Sequence, residues 1–403
     1  MEVAETATRS VGRQRVLDQV DRQLRGARDV IIISPPISGL STVLTKIQHH
    51  VTTAEHFSGF KALYLNCRQL LRGGDTLASS LRHAVTDEVG LASTIPIEQQ
   101  EVRLIEFLDQ LLDADDGLRM VIVLDDLQLA PEDQIKFLLE QIRAVSEYRQ
   151  ENKSLKRSLF VLGGHCLDLR RLDPNHTSPF NIAEKIYLDD LDEEEALELV
   201  HTLLSQSTRP YTELVAKHIC YLTRNHPYLL QQVCWHLVHD TVPGTRTAPK
   251  TDFKLVEKVV DAIRDDSGDR LLRCVAEALE DLPPSVLKCL CNILNGTRYD
   301  AGKDDPALRE LARLGLISSS KSPVWEVRNG ICDRYLRQHA RVGPVLAFGS
   351  FMPRRLYANV AGYSILYELE NDLRDFIFCK MTEKFPNEWR RKIDERIASL
   401  CHA

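Results

Sequence analysis

The sequence predicts an α/β fold in which helices cover both faces of a parallel sheet. Over residues 11–190, short apolar runs alternate with helical patterns, and this alternation is typical of parallel sheets. The runs are rich in β-branched residues and contain almost no polar positions, as expected of strands buried on both faces. The five predicted strands are 30–33, 62–67, 120–124, 159–162 and 185–188.

Helical patterns fill the intervals between these strands. The clearest are at 41–50, 101–112 and 131–148. The last of these has Pro131 near its first turn and acidic residues directly after it, which is a favourable helix start because proline and negative charge both suit a helix N-terminus. The first 190 residues therefore predict one sheet domain.

Beyond the sheet domain the strand pattern stops and amphipathic helices follow. We predict a helical lid over 191–245, which ends in a Pro/Gly/Thr-rich linker at 241–250. Residues 251–340 begin with helices and then show helix, helix and a strand-like pair, at 283–295, 306–315 and 316–327, which is typical of a winged helix-turn-helix. Residues 341–403 predict a C-terminal helical segment.

Composition narrows the class of protein. The formal net charge of −7 argues against a protein that coats nucleic acid along its whole surface. No apolar run is long enough to span a bilayer, and the first residues show no secretory pattern. The ten cysteines include no CxxC pair, so we expect reduced thiols, no membrane association and a cytoplasmic protein.

The first predicted strand leads into a candidate phosphate-binding loop. The standard spacing, GxxxxGK[ST], places a buried strand before the loop and a helix N-terminus after it. Here the second glycine is Gly39 and the hydroxyl residue is Ser41, but Ser34 replaces the first glycine and Leu40 replaces the lysine. The backbone N–H groups of the segment from Ser38 to Thr42 are the predicted phosphate donors.

The leucine is the important change in this loop. It removes the cation that meets the β- and γ-phosphates, and a charge-assisted contact of this kind contributes roughly 1.5–3 kcal/mol. Lys46 is one turn farther along the helix and cannot replace it without rearrangement. We therefore expect poor hydrolysis. A simple strand-to-helix connection that never meets a nucleotide remains the alternative.

Two carboxylates follow the third predicted strand. Asp125 and Asp126 end the run Met-Val-Ile-Val-Leu, which has the form of a Walker B motif. In this interpretation Ser41 and Asp125 hold Mg²⁺, and Asp126 polarises the attacking water, although its side chain is one methylene shorter than the usual glutamate. Alternatively, the pair only caps a strand and begins a turn.

Four further segments carry a family resemblance. Val11, Gly12 and Arg13 resemble the VGR entry of AAA+/STAND ATPases, residues 178–182 and 186–191 resemble bacterial AAA-like ATPases, and residues 225–230 (Asn-His-Pro-Tyr-Leu-Leu) resemble their G-x-P-Y-L lid motif. The resemblance covers roughly residues 11–340. It implies ATP or ADP with Mg²⁺ as cofactor, contact of the VGR segment with adenine, and a lid in which Pro227 and Tyr228 approach the nucleotide.

The resemblance also implies a sensor and a finger. Gly163, Gly164 and His165 lie where AAA+ proteins keep a polar sensor of the γ-phosphate, so His165 is the candidate. Arg170 and Arg171 follow on the same loop and are candidates for an arginine finger in a homo-oligomer. A packed core histidine and a solvated arginine pair are the structural alternatives.

The predicted winged helix and the C-terminal helices suggest partners. Arg309, Arg313, Lys321 and Arg328 are the candidate DNA contacts, unless the element is a packing module. The helices at 363–384 and 387–400 resemble the opening of a HEPN domain, a class that includes ribonucleases with an Arg-x(4–6)-His pair.

Two pairs fit that ribonuclease spacing, Arg396 with His402 and Arg334 with His339. The spacing is common by chance, and an apolar helical face favours docking or dimerisation instead.

The leading hypothesis is a regulatory or scaffolding AAA-like protein with weak or absent hydrolysis. Its C-terminal helices would couple the core to a protein partner, in bacterial defence or signalling. The alternatives are a structural adaptor that binds no nucleotide, a DNA-binding initiator-like ATPase that acts through the winged helix, and a HEPN-type ribonuclease.

Overall fold

The structure is a computed structural model, which describes residues 12–343 except for 74, 91–102, 150, 153, 169–171, 173–182, 240, 243–249, 267, 303, 320–322 and 340. The chain forms two compact units, 1–341 and 342–403. All helices and strands below belong to the first unit, and the predicted C-terminal helical segment lies outside the described residues.

A five-stranded parallel sheet forms the centre of the first unit. Its strands are β1 Asp29–Ser34, β2 Phe60–Asn66, β3 Arg119–Asp125, β4 Ser158–His165 and β5 Ala183–Tyr187. Their order across the sheet is β2-β3-β4-β1-β5, so β1 lies between β4 and β5. Each strand coincides with a predicted one, and the α/β class predicted for residues 11–190 is confirmed.

Two apolar clusters cover the faces of the sheet, because successive strand residues point to opposite sides. Ile31 and Ile33 of β1 point to one cluster, and Val30 and Ile32 point to the other. All six residues of β1 are buried. Burial on both faces therefore explains the continuous apolar run from which this strand was predicted.

Helices flank the sheet and continue after it. Those around the sheet are α1 Gln14–Arg25, α2 Leu40–Thr53, α3 Cys67–Leu70, α4 Leu77–Val89, α5 Leu104–Ala114 and α6 Glu132–Tyr148. Those after the sheet are α7 Glu193–Leu204, α8 Glu213–Thr223, α9 Pro227–His239, α10 Phe253–Asp265, α11 Arg270–Glu280, α12 Pro284–Leu294, α13 Pro306–Arg313 and α14 Gly330–Gln338. Among the described helices, each is too short or too polar to cross a bilayer.

A short antiparallel ribbon follows α13. Its strands are β6 Ile317–Ser318 and β7 Glu326–Val327. The predicted order of helix, helix and strand pair is therefore present in α12, α13 and the ribbon. Whether this element acts as a winged helix remains a prediction.

A buried ion pair fastens the start of β1 to the end of α6. Asp29 and Arg149 are 1% and 4% exposed, and the guanidinium donates to both carboxylate oxygens at 2.8 Å. The Asp29 carboxylate also accepts from the Phe160 N–H at 2.9 Å and from the Ser146 hydroxyl. Because its oxygens are well bonded, this charge is tolerated inside the fold.

We expect Asp29→Asn to lower the free energy of unfolding by about 3 kcal/mol, because it leaves the Arg149 guanidinium buried without its counter-charge. Urea denaturation measures this loss. The matched control is Arg143→Ala on the same helix, which removes a solvent-accessible pair with Glu147 and is expected to cost less than about 1 kcal/mol. Equal effects of the two substitutions would contradict a dominant role for the buried pair.

Candidate nucleotide site

The loop between β1 and α2 has the backbone form of an anion site. Gly39 caps α2 with a positive φ of 82°, and a Cβ built there would meet no atom within 4 Å. The first N–H groups of a helix have no partner inside the helix, so those of Leu40, Ser41 and Thr42 are suited to a phosphate. The Ser41 side chain, the predicted Mg²⁺ ligand, is exposed.

His165 holds the beginning of this loop. Ser34 and His165 are register partners at the carboxyl ends of β1 and β4, and the Ser34 Oγ lies 2.8 Å from His165 Nδ1. The same nitrogen is 3.1 Å from the Pro35 carbonyl, and the His165 N–H donates to Gln128 Oε1 at 2.9 Å. The geometry gives His165 a positioning role at the loop, and the predicted sensor role is not tested by it.

Leu40, at the lysine position, is directed into the protein core. Its side chain is 1% exposed and belongs to the apolar cluster between the sheet and α1 and α2, together with Val43 and Leu44. The change from lysine therefore does more than delete a charge, because the new side chain contributes to the packing under the loop.

Two buried arginines approach the loop at Ser38, a residue that is itself fully buried. Arg328 lies directly after β7, is 4% exposed and donates from Nη2 to Ser38 Oγ at 2.9 Å. Its guanidinium also forms a bidentate pair with Asp190, with Nε to Oδ2 at 3.0 Å and Nη2 to Oδ1 at 2.7 Å. This contact joins the ribbon to the phosphate loop and to the segment that follows β5.

Arg13 makes the second contact. Its Nη2 donates to the Ser38 carbonyl at 3.0 Å, its Nη1 donates to the Asp189 carbonyl, and its backbone N–H donates to Glu195 Oε1. The neighbouring Gly12 carbonyl accepts from Lys46 Nζ at 2.9 Å. The VGR segment is thus bonded to the loop and to α7. Its predicted contact with adenine remains a prediction, and Val11 lies outside the described residues.

Burial and charge act in opposite directions on the carboxylates beside these arginines. Burial by itself raises the pKa of Asp190, but the Arg328 guanidinium together with the weaker effects of His226 and Arg13 outweighs it, and the pKa is below its ordinary value. Burial and the neighbouring Asp190 charge raise the pKa of Asp189. The pKa values of these two adjacent carboxyl groups are therefore shifted in opposite directions, and the charged form is favoured at Asp190.

The arginine–aspartate pair lies between two cavities. One, of about 790 Å³, is lined by Ser34, Pro35 and Arg328, and the other, of about 810 Å³, is lined by Arg13. Asp190 lines both. Cavities of this size fall in the range of small-molecule sites.

His226 lies beside this charged cluster and is fully buried. Among the described residues, neither of its ring nitrogens has a hydrogen-bond partner. Burial and then the Arg328 charge lower its pKa to about 3, although Asp190 opposes the shift. A neutral imidazole therefore packs against the ion pair.

The rest of the lid motif is bonded to neighbouring elements. Pro227 is the buried first residue of α9, and the Tyr228 hydroxyl donates to Asp269 Oδ2 at 2.8 Å. The residue before the motif, Arg224, donates to Glu326 Oε2 of β7 at 2.8 Å. The motif thus connects the lid to α11 and to the ribbon, and its predicted contact with a nucleotide stays a prediction.

The two carboxylates after β3 are held by neighbouring donors. Asp125 is fully buried and accepts from the Tyr64 hydroxyl and, at 2.7 Å, from the Asp126 N–H. Burial and Asp125 raise the pKa of Tyr64, so this hydroxyl stays a donor. Asp126 accepts from the Asn66 amide at 3.0 Å and the Gln128 amide at 2.9 Å.

The residues present fit part of a Mg²⁺-nucleotide site. An ionised carboxylate has about four lone-pair positions, so Asp125 keeps acceptor capacity for Mg²⁺-bound water. Gly39 leaves open space beside the helix N-terminus for a phosphate. Because the Leu40 side chain lies in the core, position 40 of α2 provides no cation where the catalytic lysine would lie. The loop therefore keeps backbone donors for a phosphate but has no cation from position 40.

Three predicted DNA contacts are occupied by acidic partners. Arg309 pairs with Asp304, and Arg313 pairs with Glu310 and donates to the Cys166 carbonyl. Arg328 is buried and does not face solvent in this structure. Ion pairs within the first unit therefore hold these three arginine side chains in place.

Several other candidates cannot be placed. Arg170, Arg171 and Lys321 lie outside the described residues, as do the predicted motif at 178–182 and the pair Arg396 and His402.

The second ribonuclease pair is described. Arg334 contacts Glu257 and Asp261, while His339 ends α14 and accepts from the Arg341 N–H at 3.3 Å.

Asp190 was missed by sequence reasoning. Its one signal was an acidic pair directly after a predicted strand, the same pattern that identified Asp125 and Asp126. The carboxyl ends of neighbouring parallel strands meet at one edge of the sheet, so both pairs lie at that edge.

We expect Leu40→Lys to destabilise the protein by about 1–3 kcal/mol, because a charged side chain replaces an apolar one in the core. It should not restore rapid ATP hydrolysis. Thermal or urea unfolding and a phosphate-release assay measure the two effects, with Leu40→Met as the volume-conserving control. A stable variant that hydrolyses ATP rapidly would show that the position still faces the phosphates.

Stability should fall as pH falls from 6.5, because His226 binds its proton in the unfolded chain with an ordinary pKa of 6.5 and in the folded chain only near 3. His226→Gln should remove about 1.5 kcal/mol of the loss between pH 6.5 and 5. Urea titrations at several pH values measure it. His239→Gln, an exposed histidine at the end of α9, is the control, and identical pH profiles for both variants would refute the assignment.

Comparison with known proteins supports the fold. No family model and no curated protein matches the sequence. A Walker-type ATPase of Pyrococcus abyssi is similar in structure, with a TM-score of 0.55 and 14% identity over 81% of this chain and 95% of that chain.

Two other solved structures are less similar. The ORC2 protein of Aeropyrum pernix has a TM-score of 0.43 and 14% identity, over 83% of this chain and 96% of its own. The RuvB Holliday junction branch migration motor of Thermotoga maritima has a TM-score of 0.42 and 14% identity, over 79% of this chain and 92% of its own. Together with the strand order and the loop before α2, the first of the three similarities identifies the fold as an α/β P-loop fold of the AAA+-like type.

Proposed function

We propose that this protein is a nucleotide-responsive regulator in which Arg328 supplies the cation that Leu40 no longer provides. The observation that carries the proposal is the contact of the Arg328 guanidinium with Ser38 Oγ, at 2.9 Å and directly before the Gly39 cap. Phosphate on the first N–H groups of α2 would lie close to this guanidinium. The nucleotide site would then be completed by the ribbon, and not by the loop alone.

This arrangement would make nucleotide binding a signal instead of a step in rapid hydrolysis. In the present structure the anion that faces Arg328 is Asp190. A phosphate would offer the guanidinium a second anion, so nucleotide and Asp190 would share or compete for it. Either outcome changes how firmly the ribbon, and the residues after it, are held against the sheet. We propose that a protein partner, recruited by the C-terminal segment, responds to that change.

Two other functions stay as candidates because specific observations favour them. The packing of Leu40 into the core favours a structural adaptor that binds no nucleotide. The order of α12, α13 and the ribbon favours a DNA-binding protein, although Arg309 and Arg313 are already paired with carboxylates. Cytoplasmic location and homo-oligomerisation remain proposals as well.

We expect a fluorescent ATP analogue to bind wild-type protein in the presence of Mg²⁺, with turnover well below about 1 s⁻¹. Loss of one charge-assisted contact weakens binding about tenfold, so Arg328→Gln should raise the Kd by about that factor. The double variant Arg328→Gln with Asp190→Asn should weaken binding similarly while removing both charges of the buried pair. Fluorescence titration measures the Kd.

The control for this experiment is Arg143→Gln, because this partly exposed arginine lies on α6 and its loss should leave the Kd unchanged. Wild-type affinity in both Arg328 variants would remove the arginine from the nucleotide site. The absence of any binding by the wild-type protein would favour the adaptor, and salt-sensitive DNA binding would favour the initiator-like alternative.

A further inference from the structure

Two histidines and an aspartate converge at the far end of α2 from the phosphate loop. Asp21 lies on α1, His50 lies in the last turn of α2, and His56 lies in the short 3-10 turn Glu55–Phe57. His50 is ten residues from Leu40, which corresponds to about 15 Å along the helix. The cluster is therefore separate from the candidate nucleotide site.

The ligand-type atoms of the three side chains point at one another. Both Nε2 atoms approach the same oxygen of Asp21, Oδ1, and the His50 distance is 2.9 Å. One donor atom from each residue lies within 4.8 Å of the other two. Among the described residues, no other group of three His, Cys, Asp or Glu side chains has its ligand atoms this close together.

We propose that Asp21, His50 and His56 bind a divalent transition-metal ion of the zinc, cobalt or nickel class. Two imidazoles and a carboxylate form an N₂O set that suits these ions. Metal–ligand bonds near 2.1 Å in a tetrahedral arrangement separate ligand atoms by about 3.4 Å, so adjustments of a few tenths of an ångström to about 1 Å create the site.

The surroundings of the cluster hold its ligands in place. The Asp21 side chain is only 10% exposed, and its other oxygen, Oδ2, pairs with Arg25. A second partner of this kind orients a metal-binding carboxylate. The ring of Phe57 lies 4.5 Å from that of His56 and 6.2 Å from that of His50, measured between ring centroids, which restricts both imidazoles.

The cluster is also open to solvent. The side chains of His50 and His56 are 35% and 39% exposed, so an ion and a water ligand can enter.

The alternative is a metal-free network in which each imidazole donates an N–H to Asp21. The two arrangements differ in the proton on Nε2, because a metal ligand needs the lone pair of that nitrogen and carries its proton on Nδ1. Metal affinity separates them directly.

The test is titration of the full chain with Co²⁺ after treatment with EDTA and a thiol reductant. We expect one equivalent to bind, with a visible spectrum that lacks strong thiolate-to-metal absorption, since the ten cysteines are the competing ligands. His50→Ala and His56→Ala should each weaken binding at least tenfold. The matched control is His49→Ala, because His49 is the exposed neighbour of His50 on the same helix.

Folding and identity of the site are checked separately. His56→Gln lies in a surface turn and keeps a polar side chain, so it serves if an alanine variant fails to fold. No binding by wild-type protein, a thiolate spectrum, or equal affinities in the His49 and His56 variants would overturn the proposal. Nucleotide titration of the same variants is expected to be unchanged in a buffer that contains Mg²⁺ but no transition metal, so failure here is distinguishable from failure of the proposed nucleotide site.

Discussion

The bidentate pair between Arg328 and Asp190 determines how the elements around the phosphate loop are arranged. Burial of two charges is tolerated only when they neutralise each other and their remaining donors and acceptors are bonded. Here Nη2 of the guanidinium also donates to Ser38 Oγ. Ribbon, β5 and loop must therefore meet at one place, because moving any of them away would leave a charge or a hydroxyl buried without its partner. His226 adds to this constraint, since a neutral, buried imidazole fills the space beside the pair.

The same pair gives the loss of the loop lysine a physical context. A lysine at position 40 would place an ammonium beside the phosphates from the helix side, whereas Leu40 extends the apolar cluster under α2. Positive charge reaches the loop from the opposite side, through Arg13 and Arg328, and both guanidiniums contact Ser38. The loop is therefore rebuilt around a different charge geometry. Backbone donors at the start of α2 depend only on the helix, so phosphate binding is compatible with the change even though catalysis is not favoured.

The strands and most helices could be predicted from the sequence, because burial on two faces and helical periodicity each produce a pattern of apolar residues within a short segment. A candidate site at the carboxyl edge of the sheet could also be predicted, since acidic residues follow β3. The partner of Arg328 could not, because Asp190 is 138 residues away and no local pattern links them. A charge on a short ribbon is usually exposed, and this expectation led to a DNA-contact role for Arg328 that its burial does not support. The direction of Leu40 likewise depends on tertiary packing.

Helix α1 connects the two candidate sites. Its first residue follows Arg13, which contacts the phosphate loop, and its middle carries Asp21, which meets His50 at the end of α2. Two contacts thus connect α1 to α2: Lys46 in the middle of α2 donates to the Gly12 carbonyl just before α1, and His50 in the last turn of α2 meets Asp21 in the middle of α1. An ion at the cluster would replace hydrogen bonds by shorter, stronger metal–ligand bonds and would hold α1 more firmly. Because Arg13 directly precedes α1, the order of the Arg13 contact with the phosphate loop would then depend on a group about 15 Å away along α2.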